Sequence, residues 1–200
     1  MLQKHVVVAV LFGSALASLP AVAEENAPDK GEISFEASLP LVANTNANGV
    51  QQSSSINYGF LAGYRYFFNK HSGAEVIYGY SRDTQSYALA SGSVGVKNDS
   101  DEVLAAYVFR FQAKRWSPFL LAGAGGLIFD PRTVAGASTQ TRLGYEYGGG
   151  ADFNLKKRIF VRAEYRGVFY DSPTFNLNGL SGQDRFTHRA EPSIGFGYKF

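Results

Sequence analysis

The side chains able to do nucleophilic or acid–base chemistry fall into two sets in this 200-residue chain. The first set is small. Beyond His5 near the start, histidine occurs only at His71 and His188. His188 has Ser181, Asp184 and Glu191 close in sequence. A histidine with a carboxylate and a serine could support nucleophilic catalysis. His71 lies in the polar stretch Asn69–Gly73 and reads as a solvated turn residue. There is no cysteine, which excludes disulfides, thiolate metal sites and cysteine nucleophiles. Gly123, Gly125 and Gly126 do not complete a G-x-G-x-x-G, and no phosphate loop or zinc motif is present. The expectation is a chain with no catalytic residue, no cofactor and no metal.

The second set is larger and periodic. Glu36, Glu75, Glu102, Glu146, Asp152, Glu164 and Glu191, with Arg65, Arg110, Arg162, Arg166 and Lys199, stand in segments where polar or small residues alternate with apolar ones. A period of two puts these charges on one face of extended strands and the apolar neighbours on the other.

Eight segments carry the alternation: Ile33–Leu41, Asn57–Phe68, Ala74–Tyr80, Glu102–Phe111, Phe119–Phe129, Leu143–Leu155, Ile159–Tyr170 and Arg189–Phe200. The fifth is apolar on both parities. Short turns at Asn69–Gly73, Gln112–Ser117 and Lys156–Arg158 alternate with long polar stretches at Val42–Ile56, Ser81–Asp101, Asp130–Arg142 and Asp171–His188. Strands of about ten residues joined by alternating short and long connections predict an all-β fold, an eight-stranded antiparallel up-and-down transmembrane β-barrel. An even strand number puts both termini on the side of the short turns. Pro40 and Pro192 mark the rim where the first and eighth segments should meet, and imply a bulge or the end of pairing there.

Periodicity alone does not say which face is outward; the aromatic residues do. Phe68, Phe111, Trp116, Phe119, Phe153 and Phe200 fall near the short-turn end, and Tyr58, Tyr78, Tyr80, Phe129 and Tyr145 near the long-loop end. Two aromatic girdles suit two membrane interfaces. The charged face is then the interior, where an unpaired charge is costly, so the charges must pair or hold water. Around the turn at Lys156–Arg158, Asp152 can meet Arg162, or Glu146 can meet Arg166. Ala122, Ala124, Gly126, Gly148 and Gly150 leave room for long arginines. The interior reads as a plug of salt bridges or as an ion-conducting path, and the small lumen of eight strands favours the plug. An excess of carboxylates over bases predicts weak cation preference if it conducts.

The amino-terminal end reads as an export signal. Lys4 precedes an apolar run from Val6 to Leu19, and Ala21 and Ala23 form an A-x-A cleavage pattern. The expected organisation is a signal peptide over 1–23, a periplasmic lead over 24–32 and a barrel over 33–200. The 19 Lys and Arg nearly balance the 17 Asp and Glu, which argues against nucleic acid as a partner.

At the other end Ile194, Phe196, Tyr198 and Phe200 alternate with Ser193, Gly195, Gly197 and Lys199. This pattern, with the eight segments and their connections, resembles the eight-stranded outer-membrane barrel family that includes the OmpA transmembrane domain and the OmpX and opacity-type proteins. A terminal Phe on such a strand resembles the signal read by the barrel-assembly machinery, which the resemblance implies as a partner. It also implies an outer-membrane location and, with nothing after the eighth strand, no peptidoglycan-binding domain. The family includes lipid A-modifying enzymes, but their His and Ser two residues apart are not matched here, because His188 is followed by Arg189 and Ala190.

The leading expectation is thus a non-enzymatic, largely plugged barrel displaying four extracellular loops, in a structural or surface-interaction role. A narrow porin-like channel is the alternative, and a lipid-modifying envelope enzyme is a weaker one. Outer-membrane lipids are the expected partners, beside an unknown surface ligand. Arg82, Arg132, Arg142, Arg185 and Arg189 could meet lipopolysaccharide phosphates. Lys70, Lys114, Arg115, Lys156, Lys157 and Arg158 could contact anionic headgroups of the inner leaflet. A monomer is expected, since closure removes the open sheet edge.

Overall fold

The computed structural model describes residues 30–42, 45–47, 50–54, 58–89, 92–113, 115–132, 138–173 and 186–200. The expected signal peptide, with Ala21 and Ala23, lies outside the described residues. The strands are β1 (Gly31–Ser38), β2 (Leu41–Val42), β3 (Thr45–Ala47), β4 (Val50–Ser54), β5 (Tyr58–Phe67), β6 (Ser72–Leu89), β7 (Gly92–Arg110), β8 (Trp116–Pro131), β9 (Gln140–Asn154), β10 (Ile159–Asp171) and β11 (Phe186–Lys199). Antiparallel pairing runs β1–β5–β6–β7–β8–β9–β10–β11 and returns from β11 to β1. The fold is a closed eight-stranded antiparallel barrel.

Burial inverts the usual rule. Phe196 is 65% exposed, whereas Glu36, on the neighbouring strand, is 3% exposed. Along β11 and the residue that follows it, Ile194, Phe196, Tyr198 and Phe200 face out, while Glu191, Ser193, Gly195 and Gly197 face in. Apolar outside and charged inside is the pattern of a barrel solvated by lipid. β1 begins at Gly31, two residues earlier than the alternation suggested, and so brings Glu32 into the barrel.

The seam between β1 and β11 is continuous around both prolines. Leu39 N donates to Pro192 O at 2.9 Å, and β2 then pairs Leu41 with Ala190 and Val42 with Arg189. Pro40 interrupts the first strand without opening the wall, since β2 takes up the ladder beyond it.

Two sequence expectations are corrected here. Phe119 and Phe129 are not girdle residues: both are 1% exposed and face the lumen. The register of β8 makes odd residues inward, with Phe119 opposite Arg110 and Phe129 opposite Ser100, which both face the interior. It follows that Ala122, Ala124 and Gly126 do not make room for arginines, since all three have the outward parity and Ala122 is exposed. Phe129 instead packs its ring 5.3 Å from that of Tyr170. Secondly, the described residues of Ser81–Asp101 are strand and not loop. β6 and β7 pair without interruption from Ser72↔Phe109 to Leu89↔Gly92, and β4 joins β6 alongside Gln85–Ala88. The ladder satisfies the backbone groups of both strands without requiring any apolar alternation.

Candidate functional site

The interior is built by residues on the inward parity of every barrel strand, and their pairing forms one continuous network. Towards the short-turn end, Arg162 of β10 stands 2.7 Å from Asp152 and 3.4 Å from Glu32. Arg110 shares both carboxylates, pairing with Glu32 and lying 3.3 Å from Asp152. Lys199 is 3.8 Å from Glu32 and donates to Asn154 Oδ1 at 2.8 Å. At mid-height, Arg65 lies 2.8 Å from each of Glu75 and Glu164. Towards the long-loop end, Arg166 reaches Glu102 at 2.5 Å, Glu191 at 2.6 Å and Glu146 at 3.1 Å. Arg189 pairs with Glu102 and lies 3.7 Å from Glu191. Glu36 accepts from Ser34 at 3.0 Å and Ser193 at 2.7 Å, and Arg162 is 3.9 Å away.

Aromatic rings support this network from within. Arg110 stacks over Phe67 at 3.7 Å and Arg65 over Phe119 at 4.0 Å. Arg162 sits between Phe119 and Phe160, 5.2 and 5.0 Å from their centroids. Guanidinium on an aromatic face keeps its planar donors free for carboxylates while its own faces are covered. Leu61, Ile77, Leu104, Leu121 and Leu127, all buried, fill the wall formed by β5 to β8. Gly150 is needed for close approach: a Cβ there would lie 2.8 Å from Phe119 Cζ and 2.9 Å from Glu164 Cα.

Sequence reasoning missed two members. Glu32 was assigned to the lead, although it shares the parity of Glu36. Arg189 was placed at the outer rim facing lipid headgroups; it is 4% exposed and faces inward, as its parity with Glu191 would have indicated. Inside the barrel Glu32, Glu36, Glu75, Glu102, Glu146, Asp152, Glu164 and Glu191 stand against Arg65, Arg110, Arg162, Arg166, Arg189 and the partly exposed Lys199.

On the outer face Phe68, Phe111, Trp116 and Phe153 lie at the short-turn end, and Tyr58 and Tyr145 at the other, all exposed; Tyr78 and Tyr80 are half-buried. Phe60 packs against both Tyr78 and Tyr80. His188 faces out, with its Nε2 3.1 Å from the Tyr147 hydroxyl and its ring 4.7 Å from that of Phe169. Glu191 faces in, bound to Arg166, so it is not available to His188; Ser181 and Asp184 lie outside the described residues. His71 turns back to the barrel, its Nδ1 2.9 Å from Arg110 O.

Above the membrane rim, Asp99 is held by Arg82 at 2.9 Å and by Arg132. Burial alone would raise its carboxyl; the Arg82 hydrogen bond and the two guanidinium charges outweigh that and hold it below the usual carboxylate range.

The sequence model of the outer membrane protein beta-barrel domain family matches residues 8–200. Among solved structures, OprG from Pseudomonas aeruginosa superposes with a TM-score of 0.62 at 13% identity, covering 86% of this chain and 96% of its own. Neisserial surface protein A gives 0.60 at 14% identity, covering 85% and 97%. Ail, the attachment invasion locus protein of Yersinia pestis, gives 0.54 at 19% identity, covering 87% and 100%. No curated protein sequence matches the chain.

Proposed function

Because the chain belongs to the outer membrane protein beta-barrel domain family, we propose that it is a non-catalytic outer-membrane protein whose sealed barrel displays its long connections to the cell exterior. The export signal, cleaved after Ala23, belongs to this reading. So does recognition of the Ile194–Phe200 strand by the assembly machinery. The observation that carries it is the packing of the lumen. Arg65, Arg162 and Arg166 are each no more than 1% exposed and paired with carboxylates, and Arg65 and Arg162 also stand against aromatic rings. A solute would have to displace both the ion pairs and the rings to pass. The extension of β6 and β7 supports display, because their ladder continues as far as Leu89↔Gly92, beyond the register of the neighbouring barrel strands. Glu191, the one described carboxylate of the expected His188 set, is held inside the barrel by Arg166 while His188 faces out, which favours a structural or surface-interaction role over chemistry.

The excess of interior carboxylates favours a second reading, a narrow cation-preferring path. Single-channel recording of the refolded barrel in a planar bilayer separates the two. Silence in the parent supports the sealed barrel. Discrete steps that change in Arg162→Ala would transfer the assignment to the pore. Replacement of residues 84–95 by a short turn tests display: the barrel should still assemble and the surface role be lost.

A further inference from the structure

Among the described residues of the short-turn rim the exposed charged side chains have one sign. Lys30, Lys70, Arg115, Lys156, Lys157 and Arg158 are all exposed there. Among the described residues of that rim no side-chain carboxylate is exposed; Glu32 and Asp152 are buried in the lumen. The opposite rim differs, since Arg82 and Arg132 are tied to Asp99.

The cations are fixed in height by the barrel itself. Lys30 O accepts from Phe67 N at 2.8 Å, Arg115 O from Asn154 N at 3.2 Å, and Arg158 O from Lys199 N at 2.8 Å. Gln112 Nε2 donates to Lys70 O at 3.2 Å, and Arg158 also donates to the Tyr198 hydroxyl at 3.3 Å. Immediately above them on the outer wall stand exposed Phe68, Phe111, Trp116, Phe153 and Leu155. Such rings and apolar groups settle at the boundary of the hydrocarbon, which leaves the basic side chains at the level of lipid headgroups.

We propose that this rim is a selective contact for anionic phospholipid in the inner leaflet. A phosphodiester headgroup carrying net negative charge is the anion that the membrane holds at that height, and its acyl chains meet the aromatic belt above. A soluble polyanion would use the cations but not the belt. The inference rests on the membrane placement above, not on whether the barrel conducts or displays loops.

Trp116, the sole tryptophan, lies on this rim and is the probe. The full barrel is refolded into vesicles of zwitterionic phospholipid containing a minor fraction of phosphatidylglycerol, with bromine on the acyl chains of one lipid or the other. Quenching of Trp116 should be greater from brominated phosphatidylglycerol than from the zwitterionic lipid at equal mole fraction. The preference should be roughly fivefold for each basic side chain engaged and should fall with salt. A variant with Lys156→Gln, Lys157→Gln and Arg158→Gln should lose most of it, and so should a separate Lys70→Gln, Arg115→Gln variant, which covers failure of the first to refold. Equal quenching by the two lipids in the parent, or preference retained in both variants, would overturn the proposal. No quenching by either lipid would overturn the membrane placement as well.

Discussion

Replacing Arg166 by methionine should be among the most damaging changes available to the interior. Arg166 serves Glu102, Glu146 and Glu191 directly, and Glu164 at 3.8 Å. Methionine fills much of the volume but leaves the carboxylates to the remaining bases. Arg189 still reaches Glu102 and Glu191, and Arg65 still holds Glu164. Glu146 loses the only arginine within salt-bridge distance among the described residues. Removing one partner of a buried pair costs about 3–5 kcal/mol, most of it the stranded charge, so the expected loss is about 4 kcal/mol. The double variant Arg166→Met, Glu146→Gln should recover on the order of 1–2 kcal/mol, because the stranded group is then neutral and can still hydrogen-bond. Urea unfolding in lipid vesicles, followed through Trp116, gives both numbers as shifts in midpoint at unchanged slope. A single variant within about 1 kcal/mol of the parent, with no gain in the double, would refute the view that Arg166 neutralises a buried carboxylate with no other described cation in reach.

Phe119→Ala should lose about 3–5 kcal/mol in the same assay, because it removes the ring under Arg65 and Arg162 and leaves a cavity the barrel wall cannot close. Gly150→Val should cost about 1–3 kcal/mol through collision with Phe119 and the β10 backbone, and Phe119→Leu in that background should return part of it. Asp99 has its carboxyl held low in the folded protein, so the stability it adds is present above its unfolded pKa and is lost as pH falls through the folded value. Arg132→Gln should therefore flatten the acid side of the stability profile of the β6–β7 hairpin, as read by hydrogen exchange of its amides across that range.

The alternation of Glu36 with Phe35 and Ala37, or of Arg162 with Val161 and Ala163, carries the barrel in plain view, because lipid and lumen impose opposite demands on successive residues. The pairings of Asp152 with Arg162 and Glu146 with Arg166 were also accessible, since the short turn at Lys156–Arg158 fixes their register. Phe119 and Phe129 were misplaced because height along the barrel was allowed to stand for facing. β8 is apolar on both parities, and only its register against Arg110 and Ser100 distinguishes the faces. The reach of β6 and β7 as far as Leu89↔Gly92 left no trace in hydropathy, since Ser81–Asp101 lacks the period-two apolar pattern of the barrel segments. The ties across the lumen were beyond periodicity altogether. Arg65 on β5 meets Glu164 on β10, and nothing in either segment names the other.

Those ties also govern how the cylinder can be made. Arg110 on β7 holds Glu32 on β1, and Arg166 on β10 and Arg189 on β11 hold Glu102 on β7. None of these pairs joins neighbouring strands, so none can form in a curved sheet whose first and last strands have yet to meet. Until that moment these cross-lumen contacts stay hydrated, while pairs between neighbouring strands, such as Arg65 with Glu75 and Arg162 with Asp152, can already form. When β11 docks on β1, the water leaves and the counter-charges find one another together. Closing therefore completes the cross-lumen contacts together, on top of the neighbouring-strand pairs already made.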